Sequence, residues 1–173
     1  MIKVGILSDT HGYLNPALFG FFEQCDELWH AGDWGDMETY RQLAAFKKLR
    51  TVWGNIDGRE LRLEMPEVNR FEAEGLKICM LHIGGYPDRY SPQFKKELLV
   101  EKPDVMVCGH SHILKVMKDK KLDIMHFNPG AAGIKGFHQV CTALRLKIDG
   151  KRMFDLEVWE VPRNVIGVQP IIQ

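Results

Sequence analysis

Residues 3–12 read KVGILSDTHG, and the fold turns on how this stretch divides. The leading run KVGILS is apolar, short for a helix and closed by polar residues, which predicts a buried strand. It delivers a carboxylate, Asp9, and an imidazole, His11, two positions apart. In extended backbone such positions project to the same side, so both side chains are expected to address one point in space. The run also meets charge too early for a leader peptide, and no apolar run in the chain approaches a membrane span, which together predict a cytoplasmic protein.

Working outward, PALFGFFEQC reads as a helix with Pro16 in its first turn, ELWHAG as a second strand and RTVWG as a third. Between the last two, DMETYRQLAAFKKL predicts a helix capped by Asp36, with Tyr40, Leu43, Ala44 and Phe46 on one face. This alternation predicts a largely parallel α/β sheet with its chemistry at the carboxyl ends of the strands. RFEAEG and KICMLH then form a hairpin around Glu74 and Gly75, and PQFKKELLVEK forms a helix ended by Pro103. DVMVCG, LKVMKD, DIMHFN, CTALRLKI and KRMFDLEVWEV supply further strands, the last two joined by Asp149 and Gly150. A second, mostly antiparallel sheet is therefore expected. With 173 residues and no linker or repeat, the expectation is one domain over residues 1–173. The apolar tail, residues 163–173, is expected to cover a groove or meet a partner chain, and with the edge strands it is compatible with a homodimer or higher homo-oligomer.

The 23 basic and 23 acidic side chains cancel, so the basic excess that duplex nucleic acid usually demands is missing. The four cysteines show no C-x-x-C pair, and Cys79 and Cys108 sit in apolar runs where a thiol serves as a small buried hydrophobe.

Nearly every strand candidate ends in a potential metal ligand. Asp9 and His11 follow VGILS, Asp33 follows WHAG, Asn55 follows TVWG, His82 follows ICML, and His110 with His112 follow VMVC. Seven mixed nitrogen and oxygen donors exceed what one four-coordinate zinc needs and suit Mn, Fe, Zn or Co better than Ca or Mg. Two ions sharing a carboxylate satisfy this set. Such pairs sit about 3.5–4 Å apart and favour in-line displacement at phosphorus.

The ordered series D-x-H, G-D, G-N-x-D, H and G-H-x-H resembles the calcineurin-like metallophosphoesterase superfamily, and the short chain with FNPGA is similar to its small bacterial and archaeal phosphodiesterase branch. The resemblance implies two packed mixed β-sheets flanked by helices, an α/β/β/α arrangement. It further implies that Asp9, His11 and His112 hold a first metal, that Asn55, His82 and His110 hold a second, and that Asp33 bridges them. The two divalent ions are most simply manganese, with iron, zinc or nickel also suited. Asp33, His82 and His110 would then be catalytic, with a bridging hydroxide attacking a small-molecule phosphodiester while the metals and both histidines neutralise developing charge. The series departs from the pattern at Ile56, where many members carry a histidine that assists the leaving group. Asp57 is expected to orient Asn55 or His11.

Several residues carry plainer expectations. His30 is out of phase with the ligands and reads as a core histidine; His126 is expected to back the site, and His138 to face substrate or solvent. Trp34, Trp53 and Trp159 read as packing residues, and Lys135 as a solvated loop lysine or a phosphate contact. Against the hydrolase stands a scaffold that kept the fold and lost catalysis, as the related retromer subunit family is thought to have done; a nuclease is disfavoured by the neutral charge.

Overall fold

The computed structural model describes residues 1–164 and 171–172. The first half runs β1 (Ile2–Leu7), α1 (Ala17–Phe22), β2 (Glu27–His30), α2 (Met37–Phe46), β3 (Lys48–Thr51) and α3 (Arg59–Glu64). Then follow β4 (Val68–Ala73), β5 (Leu76–Leu81), β6 (Gly85–Tyr86), β7 (Arg89–Tyr90), α4 (Pro92–Val100), β8 (Val105–Val107), β9 (Leu114–Asp119) and β10 (Ile124–Pro129). β11 (Val140–Asp149), β12 (Arg152–Pro162) and β13 (Ile171–Ile172) close the chain.

Two mixed sheets result, ordered β13-β12-β11-β1-β2-β3 and β4-β5-β8-β10-β9. β1, β2 and β3 are parallel, as expected. β11 and β12, expected in the second sheet, instead extend the first, with β11 antiparallel to β1 from Ile148 opposite Ile2 to Leu144 opposite Ile6. The reason lies in burial: β11 sends Cys141 and Ala143 to one side and Leu144, Leu146 and Ile148 into the core between the sheets, so it needs neighbours on both edges. The second sheet is mixed rather than mostly antiparallel, because α4 carries the chain across from β5 to a parallel β8, and β8 also lies parallel to β10.

The sheets face each other across Val4, Ile6 and Trp29 on one side and Ile78, Met80, Val107 and Phe127 on the other. Phe22, Leu43, Leu61 and Trp159 pack α1, α2 and α3 onto the outer face of the first sheet, while Phe94 of α4 meets Leu81, Met106 and Cys108 on the second. The layers are therefore α/β/β/α.

α2 differs in detail from its expectation. Asp36 caps it, accepting from the Thr39 backbone N–H at 2.8 Å, but its buried residues are Thr39 and Leu43, and Ala44 is exposed. The helix stops at Phe46 because β3 begins at Lys48, pairing in parallel with Glu27 and joined to its carboxylate at 2.7 Å. α3 was not legible in RELRLE, which buries Leu61 alone. The four cysteines are free and buried. Among the described residues no helix is long and apolar enough to cross a membrane. Of the tail, Ile171 and Ile172 pair with Glu160 and Trp159; the groove or partner role expected for it falls largely on residues 165–170 and 173, outside the described residues.

Candidate metal centre

The donors gather at the carboxyl rim, but not by the alternation of extended backbone. Asp9 (φ 54°), His11 (φ 49°), Asp33 (φ 58°), His110 (φ 70°) and His112 (φ 57°) are left-handed, half of the ten such non-glycine residues described. L-residues avoid this region, so the surroundings must hold them there. They do so through cross-links between rim loops: Asp9 N–H donates to Gly32 O (2.9 Å), His11 N–H to Asp33 O (3.0 Å), Gly109 N–H to His82 O (3.0 Å) and Gly133 N–H to Asp9 O (3.1 Å). Space is tight. A Cβ on Gly54 would lie 2.1 Å from Asp33 Oδ1, and one on Gly109 would lie 2.6 Å from Asp9 Oδ2.

Two groups could each hold an ion: Asp9, His11 and His112, and Asp33, His82 and His110, with donor atoms in each group within 4.8 Å of one another. In the first, His112 Nε2 lies 3.2 Å from Asp9 Oδ1 and 3.2 Å from His11 Nε2. In the second, His82 Nε2 lies 3.3 Å from Asp33 Oδ2 and 3.0 Å from Asn55 Oδ1. Asp33 Oδ2 also stands 3.8 Å from His11 Nε2, so it faces both groups. Asp9 commits Oδ2 to the His110 N–H at 3.0 Å, whereas its buried Oδ1 has no hydrogen-bond partner. A buried carboxylate oxygen without a donor is costly, and a cation among these nitrogens and oxygens would satisfy it.

The neighbours fix which nitrogen is free. His82 Nδ1 lies 2.8 Å from the Ala31 carbonyl, which can only accept, so Nδ1 keeps its proton and Nε2, facing Asp33 and Asn55, is the nitrogen that an ion would take in place of a proton. His138 does the same at one remove: its Nε2 donates to Gly133 O (2.9 Å), its Nδ1 must accept from His112 Nδ1 (3.1 Å), and His112 Nε2 is left for the ion. His138 thus backs the site, a role its sequence context did not reveal.

Charge and burial act against each other here. Burial would raise the Asp33 carboxyl, but the hydrogen bond and charge of His82 and the Ile56 N–H hold it below its usual range. His82 is pushed down by burial, yet Asp33 and Asp9 leave it raised overall. Burial lowers His11 against the pull of Asp33 and Asp9, and burial with the charge of His82 lowers His110. Both are biased toward the neutral, metal-binding form.

Other expectations change. The Asp57 carboxylate makes no hydrogen bond to the Asn55 or His11 side chains; it accepts from the backbone N–H groups of Gly35 (3.0 Å) and Gly54 (2.7 Å), tying its own loop to the one after β2. Ile56 contributes its backbone instead of a side-chain acid, donating to Asp33 Oδ1 at 3.1 Å. His126 does not back the metal groups; it is buried in the wall of a neighbouring cavity. Asn128, in FNPGA, carries no local signal of a role in the sequence, yet it ties β10 to the G-H-S-H loop by donating to Gly109 O (2.8 Å) and Ser111 Oγ (3.1 Å). His30 is a core histidine as expected, stacked 3.4 Å from the buried Trp34 ring and bonded to Thr10 Oγ1. Trp159 is buried, Trp53 packs under Arg62 at 4.2 Å, and Lys135 is exposed.

The family model of the calcineurin-like phosphoesterase superfamily domain matches residues 2–151. A probable metallophosphoesterase of Methanothermobacter thermautotrophicus is 27% identical over 162 residues, covering 90% of each chain. One from Methanocaldococcus jannaschii is 32% identical over 135 residues, covering 74% of this chain and 67% of the relative. Among solved structures, Vps29 of Chaetomium thermophilum superposes with TM-score 0.78 at 17% identity, over 99% of this chain and 93% of that one. A structure described as a novel archaeal phosphodiesterase gives TM-score 0.72 at 20% identity, over 93% and 99%. These structures share the fold. The family match runs from the first residue of β1 through β11 and so takes in each of the rim loops, and the chain belongs to the calcineurin-like phosphoesterase superfamily.

Proposed function

We propose that this protein hydrolyses phosphodiesters at a two-ion centre. Asp9, His11 and His112 would hold one ion, Asn55, His82 and His110 the other, and Asp33 would serve both. The supporting observation is the position of Asp33 Oδ2, 3.3 Å from His82 Nε2 and 3.8 Å from His11 Nε2. When bound, two transition-metal ions, most simply manganese, supply Lewis acidity that acidifies water and neutralises phosphoryl oxygens.

The chain's own groups position and polarise. Ala31 O and His138 fix the tautomers of His82 and His112, and the Ile56 N–H holds Asp33. His110 stands at the exposed side of the centre, within reach of an incoming ester. Ile56, 47% exposed, offers no proton to a leaving group. Esters with good leaving groups therefore suffer least, and aryl phosphodiesters should be cleaved faster than matched alkyl ones; equal rates would count against this.

The test is hydrolysis of a chromogenic aryl phosphodiester by chelator-stripped protein, with Mn, Zn, Ni or Mg restored one at a time. Turnover that requires a transition metal supports the proposal, and insensitivity to salt would point to a small diester over nucleic acid. Silence with every metal, while metal still binds, would overturn it. The second reading, a protein-interaction scaffold of the same fold, would then lead; Ile56 and the likeness to Vps29 favour it.

A further inference from the structure

A cavity of about 390 Å³ opens beside the candidate metal centre and shares His110 with it. It lies between the β6–β7 hairpin, the G-H-S-H loop and strands β9 and β10. Large apolar side chains of its wall stand open to solvent: Ile83 is 39% exposed, Tyr86 39% and Ile113 66%. Apolar surface of this kind costs free energy unless something covers it, and here it converges on a concave wall. Lys115 places its ammonium 4.2 Å from the Tyr86 ring centroid, a cation over an aromatic face at the cavity lip.

A buried ring closes the wall. His126 is 1% exposed, and its Nδ1 is buried without a hydrogen-bond partner. Its ring backs the cavity wall and leaves the ammonium of Lys115 as the polar group at the opening. Burial also pushes this histidine down to about 4, so its ring is neutral at ordinary pH. Gly84 keeps the floor close: a Cβ there would lie 1.9 Å from Met106 Cε and 2.9 Å from Cys108 Cβ.

We infer that this cavity is a subsite for a planar heteroaromatic substituent of nucleoside size carried by the phosphate ester, with Tyr86, Ile83 and Ile113 against its faces and Lys115 toward its polar edge. This deepens the phosphodiesterase reading and rests on it for the position of the phosphate. The size fits a drug-sized organic group, and the shared His110 sets the cavity directly beside the centre that would take the phosphate.

The test is equilibrium dialysis of manganese-loaded protein against adenosine 5′-monophosphate, methyl phosphate and adenosine. The nucleotide should bind at least about tenfold tighter than methyl phosphate, a gap of roughly 1.4 kcal/mol. That ratio should fall to within about twofold in Tyr86→Ala and Lys115→Ala and persist in Leu99→Ser, on the exposed face of α4. A ratio does not depend on the fraction of correctly folded protein. Equal affinities in the unaltered protein, or a preference indifferent to both cavity variants, would overturn the subsite while leaving the phosphoesterase reading intact. If no phosphate binds with any metal, yet adenosine binds and is lost in Tyr86→Ala, the subsite stands and the phosphoesterase reading falls. If neither phosphates nor adenosine bind, both fall.

Discussion

Left-handed backbone occurs in two very different settings in this molecule. At the tips of the β4–β5 and β11–β12 hairpins it is found at Glu74 and Gly75 and at Gly150 and Lys151, where a tight turn demands the geometry and the side chain is negotiable. At the rim it is found at Asp9, His11, Asp33, His110 and His112, where the side chain is demanded and neighbouring loops impose the geometry. At the tips the turn selects a residue that tolerates it. At the rim, strain of roughly 1 kcal/mol or more per residue is accepted to aim a donor, offset by hydrogen bonds between loops distant in sequence.

The sharpest way to break this contrast is to remove the carboxylate between the two groups. Asp33→Ala should eliminate binding of both ions and lower turnover at least about 1000-fold, as loss of one member of an interdependent catalytic unit does. Metal content by mass spectrometry and hydrolysis of the aryl diester read it, and retention of either would defeat the two-ion assignment.

A paired glycine substitution compares the settings directly. Gly54→Ala forces a methyl group to within 2.3 Å of the Asp33 backbone nitrogen, whereas a Cβ on Gly150 meets nothing within 4 Å. Overpacking at Gly54 should cost about 3 kcal/mol of unfolding free energy, and the backbone penalty at Gly150 about 1 kcal/mol. Urea denaturation of the two variants would show whether the rim is as rigid as its cross-links imply; equal losses would say that it is not.

His138→Ala should sharpen the view of how the rim aims its donors. Without an acceptor for its Nδ1 proton, His112 can switch tautomer, and affinity for the ion held with Asp9 and His11 should drop about 10–100-fold. Metal titration against a competing chelator would detect this, and unchanged affinity would reduce His138 to packing.

The smallest expected effect lies away from the rim. His126 binds its proton more weakly in the folded chain, at about 4, than the usual value near 6.5 when unfolded. Protonation therefore favours unfolding: this contribution is complete above pH 6.5 and is lost as pH falls toward 4. Between pH 7 and 5 it amounts to at most about 2 kcal/mol. His126→Phe should flatten the decline in urea midpoint over that interval, with His30 and the lowered rim histidines His11, His110 and His138 supplying what remains. The same slope in both proteins would refute the assignment.

The sequence by itself determined every strand longer than two residues, the helix starting after Asp36, the hairpin turns and all seven candidate donors, because these depend on local pattern: apolar runs, capping residues, and ligand-type side chains directly after strands. Tertiary structure decided the rest. The side of the molecule joined by β11 and β12 depends on which of β11's two buried faces meets which layer, and a run apolar on both faces does not encode that choice. The convergence of Asp9 with His11 and of His110 with His112 does not come from the alternation of extended backbone, since left-handed turns at these residues are stable only because loops remote in sequence bond to them. The partnerships of His138 with His112 and of Asp57 with Gly35 likewise join residues 26 and 22 apart, through contacts that exist only once the rim loops have been brought together.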